Sequence, residues 1–174
     1  MALVDSGLHS PSEQVPAICF IDLTGYTRLT EERGDSVAAE LAQRLSSMVE
    51  RHSRRHGGTP VKWLGDGVMF HFPEPGGGVL AALEMVEAAP DLGLPLPHVG
   101  LHAGPVLFQE GDYFGRTVNV AARIADYARP GEVVVSQEVV DISDDAAVRF
   151  TEIGPVELKG VSGVLLLHSA HRRG

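Results

Sequence analysis

The chain contains one cysteine in 174 residues, which excludes an internal disulfide and a Cys-rich zinc site. Positive charge is also in short supply: 14 Lys and Arg stand against 23 Asp and Glu, a formal net charge of −9. Phosphate-backbone and anionic-lipid affinity are built on clustered Lys and Arg, so no nucleic-acid or membrane partner is expected. One local basic site for a small phosphate compound stays open. Long hydrophobic runs are missing as well. The most apolar stretch, residues 79–108, is interrupted by Glu84, Glu87, Asp91 and several prolines, which leaves nothing to span a bilayer. Residues 1–14 carry Asp5 and Glu13, no basic start and no apolar block, and so lack the pattern of a signal peptide. The expectation is a soluble cytoplasmic protein. With 44% apolar and 21% charged residues, the composition is that of a globular domain. Neither a repeat nor an interdomain linker breaks the chain, so it reads as a polar flexible tail over residues 1–14 and one domain over residues 15–174.

What is present has a clear order. Residues 15–21 form a short apolar run of buried-strand type ending at Asp22. Ala38, Leu41, Leu45, Met48, Val49 and His52 recur at three- and four-residue spacing. That spacing predicts a long amphipathic helix, with Asp35 as its cap and Gly57-Gly58 as its stop. Short strands at 60–64 and 68–72 flank Gly65-Asp66-Gly67, a strong hairpin signal. Gly76-Gly77-Gly78 reads as a flexible lead into a second helix over 79–89, not as a Walker loop, since no Gly-Lys-Ser/Thr follows. A strand at 98–102, with 106–109 as its pairing partner, precedes a third helix over 117–127 closed by Pro130-Gly131. Residues 132–136, 148–153, 156–158 and 164–168 supply further strands. The order β-α-β-β-α-β is ferredoxin-like. It predicts an α+β fold whose antiparallel-dominated sheet has helices packed on one face and additional C-terminal strands.

In that topology Asp22 and Asp66 end neighbouring strands, so two carboxylates converge on one spot, as hard divalent cations require. Each alone is more simply a helix cap or a turn residue. The turn Leu23-Thr24-Gly25-Tyr26-Thr27 can direct backbone N–H groups, those of Gly25, Tyr26 and Thr27 among them, toward phosphate. Asn119 and Arg123, four apart, share one face of the third helix, and Asp112 lies in the segment before it. Lys62 precedes Asp66 on its strand by about 13 Å of strand rise. A single small site cannot easily use both, unless sites lie across a dimer. His52 and His56 are one helical turn apart with no third ligand suggested, and read as a solvated helix end. His71, His98 and His102 alternate with apolar residues and read as structural. Cys19 reads as a small core residue.

Taken in order, these segments resemble the catalytic domain of class III nucleotidyl cyclases, of the compact bacterial type. Phe20-Ile21-Asp22-Leu23-Thr24-Gly25-Tyr26-Thr27 resembles the family's first metal motif. Val61-Lys62-Trp63-Leu64-Gly65-Asp66-Gly67 resembles its base-selecting and second metal motif. Residues 111–123, through Asp112 and Val118-Asn119-Val120-Ala121-Ala122-Arg123, resemble the motif that completes the site. Pro130-Gly131-Glu132 and Leu158-Lys159-Gly160 match later landmarks, so the similarity runs from about Val15 to His168.

The resemblance implies an adenylyl cyclase that converts ATP to 3′,5′-cyclic AMP and pyrophosphate, at sites shared between the two subunits of a homodimer. Asp22 and Asp66, with the Leu23 carbonyl, would hold two Mg²⁺ or Mn²⁺ ions per site. From the other subunit Asn119 would orient the ribose, Arg123 would stabilise charge on the α-phosphate and Lys159 would contact phosphate. Lys62 is donor-only and ionised Asp112 acceptor-only, which complements adenine's N1 acceptor and N6 donor. Guanine presents the opposite pattern, and GTP-using members tend to carry Glu at the Lys62 position. Between His102 and Asn119 the chain is shorter than in the animal membrane enzymes. Two other readings stand beside this one: a catalytically silent nucleotide-binding dimer module, and a guanylyl cyclase.

Overall fold

The computed structural model describes residues 15–144 and 146–173; the tail expected at residues 1–14 lies outside them. Strand β1 (Ala17–Asp22) runs through the middle of the main sheet. Its sequence is apolar toward both faces, and Ala17, Ile18, Cys19 and Ile21 are all buried. Two antiparallel neighbours flank it, β3 (Gly67–Phe72) on one side and β4 (His98–Ala103) on the other. With β2 (Thr59–Leu64), β7 (Val133–Ser136), β8 (Val148–Glu157) and β9 (Val164–Arg172), the sheet runs β2-β3-β1-β4-β7-β9-β8. The β4–β7 pairing is parallel and the other pairings are antiparallel. The first four strands in this order are the ferredoxin-like core, and the C-terminal strands extend it beyond β4.

Five helices dress the sheet: α1 (Tyr26–Arg33), α2 (Asp35–Arg55), α3 (Pro75–Ala88), α4 (Arg116–Tyr127) and α5 (Gln137–Ile142). Helix α2 buries the stripe Leu41, Leu45, Met48 and Val49. Together with α3 it packs on the face that carries Cys19, Ile21, Phe70 and Leu101. Helix α4 lies on the opposite face, where Val120 and Ile124 meet Val134 and Leu167, and Ala121 meets Ile18 and Met69. Helices therefore cover both faces and not one as expected, because β1 and β3 are apolar on both sides and an open face would expose Ile18 and Met69. Burying Val120 and Ile124 contributes about 1.5–3 kcal/mol each, which fixes α4 to the sheet. Gly100 permits the close approach: a Cβ there would stand 2.2 Å from the Ala125 nitrogen.

Three local expectations are corrected. The Gly76-Gly77-Gly78 run is the first turn of α3, which begins at Pro75, and is not a loop. These glycines are contact points, since a Cβ on Gly77 would stand 2.7 Å from the His56 carbonyl oxygen and one on Gly78 2.9 Å from Leu101. Residues 107–109 pair not with β4 but with 112–114, forming a separate hairpin of β5 (Leu107–Gln109) and β6 (Asp112–Phe114). Glu110 and Gly111 both have positive φ, 51° and 78°, the two-residue turn that favours a tight hairpin. Residues 148–157 are one strand, bulged between Glu152 and Gly154, and not two.

Candidate active site

The end of β1 and the β2–β3 turn are tied together directly. Asp22 lies opposite Gly67 in the strand register, and the Leu23 N–H donates to the Asp66 carbonyl at 2.9 Å. The Thr27 N–H donates to Asp66 Oδ1 at 3.0 Å, and the Thr27 hydroxyl donates to the same oxygen. The two residues thus end neighbouring strands, close enough for the charge of Asp66 to act on Asp22. Burial pushes the Asp22 carboxyl above its ordinary range; His98 counters part of this, while the charges of Asp66 and Asp126 push it further up. No ion pair among the described residues joins Asp22 or Asp66 to a lysine or arginine.

Gly25, with φ of 87°, turns the chain from β1 into α1. The Tyr26 N–H donates to the Leu23 carbonyl at 2.9 Å. The N–H groups of Tyr26 and Thr27 are therefore engaged within the chain, one by Leu23 and one by Asp66. The turn is thereby closed on the Asp66 hairpin.

His98 was legible only as a structural histidine, and its position adds to that. It is buried, opposite Asp22 in the β1–β4 register. Its Nδ1 is 2.7 Å from the Ala125 carbonyl and its Nε2 is 2.8 Å from the Thr24 hydroxyl. A carbonyl only accepts, so Nδ1 donates to Ala125, and Nε2 faces the Thr24 hydroxyl. Nε2 also lies 3.7 Å from Asp22 Oδ2. The signal that could have found this neighbour is β1–β4 adjacency, which follows from the fold order.

Lys62 on β2 and Asp112 on β6 form a direct pair. Lys62 Nζ donates to Asp112 Oδ2 at 2.8 Å, and Asp112 Oδ1 accepts the Tyr113 N–H at 2.8 Å. The Lys62 hydrogen bond, and after it the Tyr113 N–H, hold the Asp112 carboxyl below its ordinary range. The Tyr113 ring stacks on His71 with centroids 4.4 Å apart, which seats the β5–β6 hairpin on the sheet. Asn119 and Arg123 are exposed on α4, with Arg123 3.3 Å from Asp126. The Lys159-Gly160 turn lies beside Arg123: a Cβ on Gly160 would stand 3.7 Å from its Nε. Lys159 is itself exposed. Of the residues singled out in the sequence, Asp22 and Asp66 thus end neighbouring strands, Lys62 pairs with Asp112, and Arg123 lies beside the Lys159-Gly160 turn and Asp126.

His52 and His56 are not a solvated helix end. His52 Nδ1 is 2.8 Å from one oxygen of the buried Glu84 and His56 Nε2 is 2.9 Å from the other.

Against this geometry the comparisons with known proteins are specific. A family model of the adenylate and guanylate cyclase catalytic domain matches residues 8–169. The chain belongs to that family. This cyclase domain is 31% identical over 175 residues to a pH-sensitive adenylate cyclase of Mycobacterium tuberculosis, covering 96% of the chain and 43% of that protein. It is likewise 31% identical over 171 residues to an adenylate cyclase of Glutamicibacter nicotianae, covering 91% of the chain and 42% of that protein. The domain therefore spans about two-fifths of the length of these relatives. Among solved structures, the adenylyl cyclase CyaB from P. aeruginosa superposes with a TM-score of 0.76 at 22% identity, covering 92% of this chain and 95% of that one. An adenylate/guanylate cyclase/hydrolase from Silicibacter pomeroyi gives 0.77 at 26% identity, covering 92% and 98%. No helix among the described residues is long and apolar enough to cross a membrane.

Proposed function

We propose that this cyclase domain converts ATP to 3′,5′-cyclic AMP and pyrophosphate, at two equivalent sites shared across a two-fold homodimer. The observation that carries the substrate reading is the Lys62–Asp112 pair, 2.8 Å apart on a partly exposed surface. It offers one donor-only and one acceptor-only group side by side, the pattern complementary to adenine N1 and its amino group. Guanine would leave both contacts mispaired, each at the desolvation cost of an unsatisfied group. The relatives named adenylate cyclase support the same choice.

The residues at Asp22 and Asp66 fit divalent cations. Two hard carboxylates end neighbouring strands there with no lysine or arginine paired to either among the described residues, and burial with repulsion from Asp66 already raises the Asp22 carboxyl. That donor set is what Mg²⁺ or Mn²⁺ selects. Asp22 and Asp66 would hold two such ions, with the Leu23 carbonyl as a further oxygen. When bound, they lower the pKa of the ribose 3′-hydroxyl and neutralise charge on the triphosphate. The chain's own side chains do the rest from the partner's surface. Asn119 orients the ribose. Arg123 faces the charge that grows on the α-phosphate, a preorganised electrostatic role. Lys159, in the turn beside Arg123, contacts the phosphate tail. The ribose 3′-hydroxyl gives up its proton to water, its oxygen forms a bond to the α-phosphorus, the bond from that phosphorus to the β-phosphate bridge breaks, and pyrophosphate departs.

The dimer reading rests on what surrounds the Lys62–Asp112 pair. Trp63 is 50% exposed beside Lys62, and Leu107, Phe108 and Phe114 are 69%, 60% and 47% exposed on the hairpin that carries Asp112. Large apolar side chains left open around a ligand-reading pair mark a surface that a second copy covers. The test is direct: incubate the purified chain with Mn²⁺ and ATP, and separately with GTP. Cyclic AMP from ATP is expected. Its absence at micromolar protein sinks the proposal, and a preference for GTP overturns the base reading alone.

A further inference from the structure

The β5–β6 hairpin carries Asp112 but shares no strand ladder with the main sheet. A two-stranded hairpin is marginal by itself, so the place of Asp112 beside Lys62 has to come from side-chain packing. Leu107, Phe108 and Phe114 of the hairpin are exposed. Tyr113 is the large side chain that packs inward, on the cluster of Ile18, Met69 and Ala121 between the sheet and α4. Its ring lies flat on His71 of β3, with centroids 4.4 Å apart and planes 5° from parallel, and Phe108 closes against it at 4.8 Å. Burial holds the His71 ring below its ordinary range, which favours the neutral form that stacks as an aromatic face. Lys62 pairs with Met69 in the β2–β3 register, and His71 lies two residues further along β3, so Lys62 and His71 share one face of the sheet. The Tyr113 N–H also donates to Asp112 Oδ1 at 2.8 Å. One residue therefore holds the hairpin to the sheet and the carboxylate to the hairpin.

We infer that the Tyr113 ring, seated on His71, is a positioning group for the Lys62–Asp112 pair, and that this stack sets how strongly the domain prefers ATP to GTP. This rests on the base reading of that pair proposed above. A site built around one donor and one acceptor rejects a base of the opposite pattern only while both groups are held in place. A displacement of about 1 Å can cost about a hundredfold in rate. Without the ring the hairpin can shift against β3, and Asp112 shifts with it. ATP then loses a matched contact, while GTP is relieved of a mismatched one. The two substrates are affected unequally, which a residue needed only for folding or for the dimer does not do.

The measurement offers ATP and GTP together to the purified chain with Mn²⁺ and reads the ratio of cyclic AMP to cyclic GMP formed. That ratio compares the two kcat/KM values directly and cancels the fraction of folded, dimeric protein. Tyr113→Leu is expected to lower it by about tenfold, and His71→Leu by a similar factor. The double variant should fall no further than either single one, because both changes remove the same stack. Tyr113→Phe, which keeps the ring, should stay near the wild-type ratio. Asp112→Ala separates this inference from the reading beneath it. A ratio lowered in Asp112→Ala but unchanged in Tyr113→Leu and His71→Leu, with both products falling together, would overturn the inference and leave the stack as support for the fold or the dimer. A ratio unchanged in Asp112→Ala would overturn the base reading itself, and this inference with it.

Discussion

Two carboxylate sites in this molecule are built in opposite ways. Glu84, on α3, is wrapped: His52 from α2 and His56 just past its end bond its two oxygens, Arg55 reaches it at 3.9 Å and Arg172 from β9 at 3.8 Å, with Glu87 alongside paired to Arg172 at 2.9 Å. Burial alone would raise its carboxyl; the two histidine hydrogen bonds and the charges of His56 and Arg55 outweigh burial and hold it below the ordinary range. Among the described residues, Asp66 is met by the neutral donors of Thr27 and Asp22 by a histidine 3.7 Å away, and Asp22 is raised. One fold therefore compensates one carboxylate fully and leaves a pair of them exposed to each other. The first arrangement is a structural clamp between α2, α3 and β9. The second is unbalanced charge of the kind that marks a functional site, and it fits the cation site proposed above.

The sharpest way to break this contrast is to neutralise each site. Asp22→Asn should lower cyclic AMP formation by about a thousandfold, the scale of several kcal/mol of lost transition-state stabilisation. Its thermal midpoint should stay level or rise, since the substitution removes a repelled charge. A matching loss of stability would mean that Asp22 is structural. Glu84→Ala should do the reverse: it leaves His52, His56, Arg55 and Arg172 facing an empty position and should cost about 3 kcal/mol of stability in denaturant unfolding. Its turnover at a temperature well below the midpoint should remain. The clamp also has a pH signature. A carboxyl held below its unfolded value stabilises the fold fully above that value, about 4.5 for Glu84, and the contribution is lost as pH falls through the folded value. The thermal midpoint of the wild type should therefore drop below about pH 4.5 more steeply than that of Glu84→Gln; parallel curves would show that the clamp does not set acid stability.

The contrast also explains what could be read from the sequence. Periodicity located β1, α2, the β2–β3 hairpin and α4, because each is long or strongly patterned, and the order of elements placed Asp22 beside Asp66. Lys62 and Asp112 were legible as a pair only through the resemblance, and the structure joins them by a hairpin whose turn is closed by Glu110 and Gly111. The Glu84 clamp was not legible, since it depends on the rotation of two helices set by packing. The Thr27–Asp66 contact was hidden for a similar reason: it joins two turns, and turn geometry is fixed only once both strands are in register. The triple glycine misled because glycine serves close packing as readily as it serves loops.

The central claim is that the metal carboxylates and Arg123 of one active site come from different subunits. Asp22→Ala and Arg123→Ala should each be inactive alone. Mixed in equal amounts under exchange, half of the dimers are mixed and each of these holds one intact site, so cyclic AMP formation should recover to about a quarter of the wild-type rate. No recovery, with heterodimer formation shown by tagged pull-down, would contradict a shared site and place all the catalytic residues within one chain.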